Sequence, residues 1–444
     1  MTHVTGVPSP RRPATVVTAL CWVIVVFDGY DLIVYGTVLP QLLAEPGWGL
    51  TPATAGLLGS LAFLGMLFGA LGAGALADRW GRRRTILACT AWFSVFTALC
   101  AIAPDPRWFG ACRLLAGLGI GGLVPSANAL AAEYVEPRYR SVVSTLMMSG
   151  VPIGGALAAV VGIGVLPRYG WPAMFLLALL AVVVVLPVCV RALPESPVWL
   201  RSRGRVEQAL ALERRFGLAA GDAASAPGTV PGERTGLAAV LRAPYTRASI
   251  LFAAATLGTL FAWFGLGTWL PQLLRTAGFD LGSSLRFLLV LNLGAVAGSL
   301  LSAWAGVRFG PPRAAIGSAG AASLALLTLT THPGTVATYA ALVVAGVGTH
   351  GTQCLIIAAV ADHYPARLRG SGLGFALGTG RIGAVIAPQV AGWLIAAGLG
   401  VNANFVAFAV AIGVAAALLT CYRPPAPRAL TGGVATDRKG RTPA

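Results

Sequence analysis

Long apolar runs follow one another along nearly the whole chain, and charges are confined almost entirely to the gaps between them. That pattern decides the solvent. Of the 444 residues 56% are hydrophobic and only 11% are charged, whereas a water-soluble chain carries about 25% charged residues. So few charges cannot cover a water-exposed surface, so most of this surface must meet lipid. In hydrocarbon every backbone polar group has to be satisfied inside the segment, which makes helices of these runs. A span takes about 20 apolar residues at a rise of 1.5 Å each. Twelve helices are predicted, near 15–40, 53–77, 85–103, 108–132, 142–166, 171–191, 247–270, 284–307, 314–331, 336–361, 370–397 and 403–422. The first run is too long for a cleavable leader and carries two acids, so it reads as a mature span.

The net charge of +17 is a matter of orientation. Nucleic-acid binding is set aside because the arginines lie between apolar runs. All but six of the 32 lysines and arginines fall in the two tails and in alternate loops. Arg107, Arg168, Arg275 and Arg286 fall on the other side, and Arg113 and Arg381 fall inside spans. Such a bias places both termini in the cytoplasm of a bacterial inner membrane. The seven cysteines lie in or at the ends of apolar runs with no CxxC pair. They read as free core residues, without a disulfide framework or metal site. No nucleophile–base set or phosphate loop is visible, which argues against an enzyme.

The longest polar stretch divides the chain into an N-tail (1–14), a six-helix bundle (15–191), a central loop (192–246), a second six-helix bundle (247–422) and a C-tail (423–444). Within the central loop, Arg201 to Phe216 reads as an amphipathic helix, and 217–236, rich in Gly, Ala, Ser and Pro, as a flexible linker. The halves repeat. Aligning Arg140 with Arg369 puts Glu133 on Asp362, Ser149 on Gly378 and Gly154 on Gly383. The segment Asp78-Arg79-Trp80-Gly81-Arg82-Arg83-Arg84 then meets Val307-Arg308-Phe309-Gly310-Pro311-Pro312-Arg313, which keeps the Arg-aromatic-Gly core and has lost the acid. The expected fold is all-α, with twelve transmembrane helices in two pseudo-symmetric bundles. Such repeats rock about a site between the halves, near mid-membrane.

These features resemble the major facilitator superfamily. Gly74-Ala75-Leu76-Ala77-Asp78-Arg79-Trp80-Gly81-Arg82-Arg83-Arg84 is similar to its signature between spans two and three, Arg113 with Gly117 and Gly121 to its fourth-span signature, and Pro194-Glu195-Ser196-Pro197-Val198-Trp199-Leu200 to the signature after span six. Asp28-Gly29-Tyr30-Asp31, running on to Gly36 and Pro40, resembles the aromatic acid:proton symporters, the benzoate and hydroxybenzoate carriers. Gln353 and Gly378-Thr379-Gly380-Arg381-Ile382-Gly383 support that resemblance. It implies import of a small aromatic carboxylate with protons, driven by the proton gradient with no cofactor, by a monomer in the bilayer. Symport of a non-aromatic organic acid or a sugar-like solute is the alternative, followed by drug efflux and a membrane sensor. Val307, where the repeat expects an acid, weakens the gating role of the second-half loop.

Candidate chemistry sits on residues that lipid would reject. Asp28 and Asp31 are three apart and share one helical face. A charge in a span costs at least about 2.5–3.5 kcal/mol, so the pair must face the bundle interior. Burial and a like-charged neighbour both favour a protonated carboxyl, which suits a proton carrier; a structural tie to another helix is the competing reading. Arg113 needs an acid or an anion, or else snorkels to the nearer surface; the resemblance implies proton coupling. Arg381 lies too deep to snorkel easily and suits a substrate carboxylate through two parallel hydrogen bonds, or else pairs with Asp28 or Asp31. Asp31, Tyr35, His350 and Gln353 are further candidates for substrate contact, and His350 for relaying a proton. Tyr30, Trp263, Phe264 and Trp269 could stack on a ring or simply pack. For gating, Asp78 is expected to hold a helix terminus beside Gly81 and Arg82, and Glu133 with Arg140, and Asp362 with Arg369, to form gate pairs.

Overall fold

The computed structural model describes residues 11–218 and 236–423. The tail before residue 11, the bulk of the expected flexible linker (219–235) and the tail after residue 423 lie outside the described residues. Among the described residues the regular structure is helical throughout. The first half holds α1 (Arg11–Leu42), α2 (Pro52–Trp80), α3 (Arg82–Cys100), α4 (Pro106–Glu133), α5 (Arg140–Leu176) and α6 (Leu186–Ala192). The connecting segment holds α7 (Pro197–Ser202), α8 (Val206–Phe216) and α9 (Leu237–Val240). The second half holds α10 (Thr246–Thr276), α11 (Leu281–Phe309), α12 (Pro311–Thr328), α13 (Thr335–His363), α14 (Ala366–Ala396) and α15 (Gly400–Thr420).

Local chemistry sets these ends. Asp105 accepts hydrogen bonds from the N–H groups of Arg107 and Trp108, and Asp280 from that of Ser283; each carboxylate satisfies donors that a helix start leaves free. Pro52, Pro106 and Pro311 occupy first turns, where their missing N–H costs nothing. Among the described residues, nine stretches are long and apolar enough to cross a membrane. The repeat supplies three more. α3 begins with three arginines, and Arg381 lowers the apolarity of α14. The sixth span is broken: α5 runs through a kink at Gly170 (φ 71°), flanked by Pro167 and Pro172, and the chain continues through a π-helical stretch, Ala181–Val185, into α6. The amphipathic helix expected over 201–216 is two helices, α7 and α8, parted at Gly204 (φ 73°).

The halves pack by the same rule. α1 lies on α5 and α10 on α14; α2 and α3 lie on α4, as α11 and α12 lie on α13. A Cβ on Gly29 would overlap the Val151 carbonyl, and one on Gly154 the Val26 carbonyl, so these two glycines let α1 and α5 touch backbone to backbone. Between the halves α2 meets α14, α5 meets α11 and α1 meets α10. Those contacts crowd toward the end remote from the arginines. There Gly36 abuts the Gly267 carbonyl, Gly56 the Pro388 carbonyl and Gly392 the Pro52 carbonyl, and Gln389 donates to the Ala53 carbonyl at 3.1 Å. Toward the arginine-rich end, open space surrounds Gly72 and Gly74 of α2 and Gly370, Gly374 and Gly378 of α14. The halves therefore close at one end and part at the other.

Candidate functional site

Asp28 and Asp31 share a helix face but not an environment. Asp31 is 1% exposed and completely engaged. The Nη1 of Arg113, on α4, donates to both its carboxylate oxygens at 3.0 Å, and the Nη2 donates to its backbone carbonyl at 3.1 Å. Thr97 of α3 donates its hydroxyl to the same carboxylate. One carboxylate thus ties together α1, α3 and α4. Arg113 is itself 1% exposed, so it does not snorkel; α4 turns it inward onto the acid.

One turn earlier, Asp28 is fully buried and neither oxygen has a hydrogen-bond partner among the described residues. It lies within electrostatic reach of Arg381, across the gap between the halves. Arg381 donates to the Met66 carbonyl of α2 at 3.3 Å, and no carboxylate among the described residues comes within 4.0 Å of it. The expected alternative of an internal ion pair is therefore not made: Arg113 holds Asp31, and Asp28 stands off. Neither the Arg381 nor the Asp28 side chain is taken up by an ion pair among the described residues.

His350 and Gln353 lie side by side on α13, each 8% exposed, and Trp263 packs over His350 with ring centroids 5.3 Å apart. Nε2 of His350 and both polar atoms of the Gln353 amide have no partner. Burying such groups unpaired costs about 1–3 kcal/mol each, a cost that a hydrogen-bonding partner would relieve. Asn292 of α11 is a further such group, fully buried against Gly155 of α5: its Nδ2 donates to the Leu288 carbonyl at 2.8 Å and its Oδ1 is unmatched among the described residues. Across the gap Phe63 of α2 meets Phe264 of α10 with centroids 4.6 Å apart. A cationic group, a free carboxylate, amide and imidazole donors and flat apolar walls thus come from both halves.

Tyr35 does not join this set. Its hydroxyl donates to the Ala55 carbonyl at 2.6 Å and its ring packs near Phe109, so it seals α1 against α2 and α4 toward the closed end. Trp269 similarly donates its indole N–H to the Pro388 carbonyl, and Tyr30 its hydroxyl to the Met174 carbonyl. Sequence reasoning missed Thr97 and Asn292. Each is a lone polar residue facing inward from an apolar run, a signal that could have found both.

At the arginine-rich end the expected gate pairs are corrected. Glu133 pairs with Arg82 at 3.0 Å and accepts from the Ser196 hydroxyl, while Arg140 turns back onto the Ala132 carbonyl, 3.2 Å away. Asp362 and Arg369 make no ion pair. Asp78 is exposed, and it is its carbonyl that receives the Trp199 indole N–H and the Arg203 guanidinium, both at 2.7 Å. The helix terminus that Asp78 was expected to hold is held by Glu195, whose carboxylate accepts the first-turn N–H of Arg83 in α3 at 2.9 Å. Gly81 (φ 94°) makes this possible, since any Cβ there would strike the Glu195 carboxylate. Tyr134 then donates to the Glu195 carbonyl at 2.6 Å, and Arg83 to that of Leu193 at 2.6 Å.

Two helical repeats, rocking contacts concentrated at one end and a charged site between the halves define a secondary transporter and not an enzyme. The sequence pattern of the Major Facilitator Superfamily matches residues 21–388 and, again, 287–443, and the chain belongs to that superfamily. Among characterised relatives it is 50% identical over 406 residues to the gentisate transporter of Corynebacterium glutamicum, covering 91% of this chain and 86% of the relative. It is 34% identical to the benzoate transport protein of Acinetobacter baylyi (89% and 86% covered) and 32% identical to the 4-hydroxybenzoate transporter PcaK of Pseudomonas aeruginosa (91% and 90%). The fold matches that of the xylose transporter XylE from E. coli in its inward open conformation, with a TM-score of 0.75 at 16% identity, covering 93% of this chain and 96% of XylE.

Proposed function

We propose that this protein imports a small aromatic carboxylate together with protons, working as a monomer in a bacterial inner membrane. The observation that carries the reading is the unmatched pair: among the described residues, a half-buried guanidinium without a carboxylate and a buried carboxylate without a donor, on opposite halves. The relatives that transport gentisate, benzoate and 4-hydroxybenzoate support the ring and the acid. Both termini lie in the cytoplasm, as the arginine bias argues, so the halves part toward the cytoplasm and the closed end faces out.

A substrate carboxylate takes the free face of Arg381 through charge-assisted hydrogen bonds. Its ring lies against Trp263 and Phe264, and its polar substituents meet His350, Gln353 and Asn292. Asp28, beside the occupied arginine, is the group that takes up and releases the proton. Asp31, locked to Arg113 and Thr97, holds the bundle together.

The test is uptake of labelled gentisate, benzoate and 4-hydroxybenzoate into proteoliposomes, with and without an inward proton gradient, against empty liposomes that report leakage of the neutral acid. Gradient-driven accumulation of at least one acid is expected. Arg381→Ala is expected to lower uptake by about 30-fold or more, from a loss of about 2–5 kcal/mol at a desolvated charge contact. Asp28→Asn is expected to abolish the response to the gradient while substrate exchange at equal pH persists. No uptake of any of the three by a folded protein would sink the aromatic-acid reading, and an unimpaired gradient response in Asp28→Asn would remove Asp28 from the proton path.

A further inference from the structure

α11 and α12 both lie along α13 and scarcely touch each other beyond their joining turn at Gly310. Between them is a groove of about 750 Å³ on the outer surface of the second half. Gly298 and Ser302 of α11 and Gly317 and Ser318 of α12 line it. Both serines turn their hydroxyls onto backbone carbonyls, Ser302 onto Ser299 and Ser318 onto Gly348. Leu301 and Trp304 of α11 and Leu355 of α13 add apolar surface, and Arg308 and Arg313 stand at the arginine-rich end.

Two observations identify what fits. The first is charge. Neither Arg308 nor Arg313 has a carboxylate within 4.0 Å among the described residues, and Arg308 rests only against the ring of Phe309, 5.6 Å from its centroid. In the first half the equivalent turn sits beside Asp78, Glu133 and Glu195; here Val307 stands where the acid would be. The second is exposure. Trp304 is 62% exposed and Val307 91%, directly beside these cations. An apolar channel capped by two unneutralised guanidiniums is complementary to a molecule with a hydrocarbon chain and an anionic head. Basic pockets between transmembrane helices at the cytoplasmic end hold acidic head groups in this way, and guanidinium suits phosphate.

We propose that this groove holds an anionic phospholipid, with its phosphate between Arg308 and Arg313 and an acyl chain along Leu301, Trp304 and Leu355. A zwitterionic head group carries its own cation and gains less from the two arginines.

The test uses the full-length purified protein in detergent, with the melting temperature and retained lipid adducts as readouts. Phosphatidylglycerol is expected to raise the melting temperature by several degrees and to persist as an adduct in native mass spectrometry. Phosphatidylcholine at the same mole fraction and inorganic phosphate are expected to do neither. Arg308→Gln with Arg313→Gln should lose the shift, and so should Leu301→Trp, which fills the channel and leaves the charge. Arg79→Gln with Arg84→Gln, the same charge removed at the repeat-related turn, should keep it. The proposal is overturned if the groove variants retain the full shift, if the Arg79 and Arg84 variant loses as much, or if phosphatidylcholine or inorganic phosphate reproduces it.

Discussion

The two halves share a helix plan and treat charge in opposite ways. In the first half the ion pairs Arg113–Asp31, Arg82–Glu133 and Arg138–Glu136 are closed within the bundle, and Arg201–Glu213 follows just after it. In the second half Arg381, Arg308 and Arg313 find no carboxylate among the described residues. All the ion pairs found among the described residues thus lie in the first half or just after it, where they tie its own helices together. The second half has none among its described residues. Asp28 is the exception: a buried first-half acid whose oxygens have no hydrogen-bond partner among the described residues.

The largest expected effect breaks that contrast at its deepest point. Arg113→Ala strands Asp31 as a buried charge, which destabilises by about 3–5 kcal/mol. Thermal melting of the purified protein should show it as a large drop, with Asp31→Ala giving a similar one. The double substitution Asp31→Leu with Arg113→Leu should recover a good part of the loss, since removing both charges leaves none unpaired. Arg381→Ala should melt close to wild type, because no bonded carboxylate is left behind. Equal melting losses at Arg113 and Arg381 would erase the distinction between a bracing and a receiving arginine.

A smaller effect is expected at the arginine-rich end. Glu195 satisfies the N-terminus of α3 and the N–H of Ser196 with one carboxylate. Glu195→Ala should cost about 1–2 kcal/mol, the range for losing a helix cap. Asp362→Ala, in the second half, should leave melting within about 0.5 kcal/mol, as surface changes do. A loss at Asp362 matching that at Glu195 would mean that the second half has its own brace.

The division into twelve spans and two repeats was readable because lipid enforces it: apolar runs of span length leave one form of backbone. The site was readable in part. Asp28, Asp31, Arg113 and Arg381 stood out by the cost of charge in a span; the first three are buried inside the protein, and Arg381 turns onto the Met66 carbonyl. The different fates of the two aspartates were not readable. Helical spacing gives a shared face, but the neighbour each residue meets depends on how α3 and α4 lie beside α1, and α4 is itself positioned by contacts far apart in sequence, such as Gly65 of α2 against the Leu114 carbonyl. The gate pairs failed for a related reason. Glu133 and Arg140 are close in sequence, but the turn between α4 and α5 aims Arg140 back at the α4 carbonyls, and Arg82 reaches Glu133 from another helix. Glu195 sat inside a quoted motif with no role attached, because a capping acid that comes from over a hundred residues away leaves no local pattern.

The smallest expected effect tests this last distinction. If proximity in sequence had decided the pairing, Arg140→Gln would free Glu133 and cost as much as any partly buried ion pair. In the observed geometry Arg140 gives Glu133 nothing, so Arg140→Gln should change melting by no more than about 0.5 kcal/mol. Arg82→Gln removes the cation that Glu133 pairs with, 3.0 Å away with the acid largely buried, leaves it the Ser196 hydroxyl, and should cost more, about 1–3 kcal/mol for a carboxylate left short of a donor. The order of the two variants carries the argument. Arg82 above Arg140 keeps the brace between α3 and α4 and makes it a feature of the first half's internal cohesion. The reverse order would return Glu133 to the α4–α5 turn, and the contrast between the halves would then rest on Arg113 and Asp31 alone.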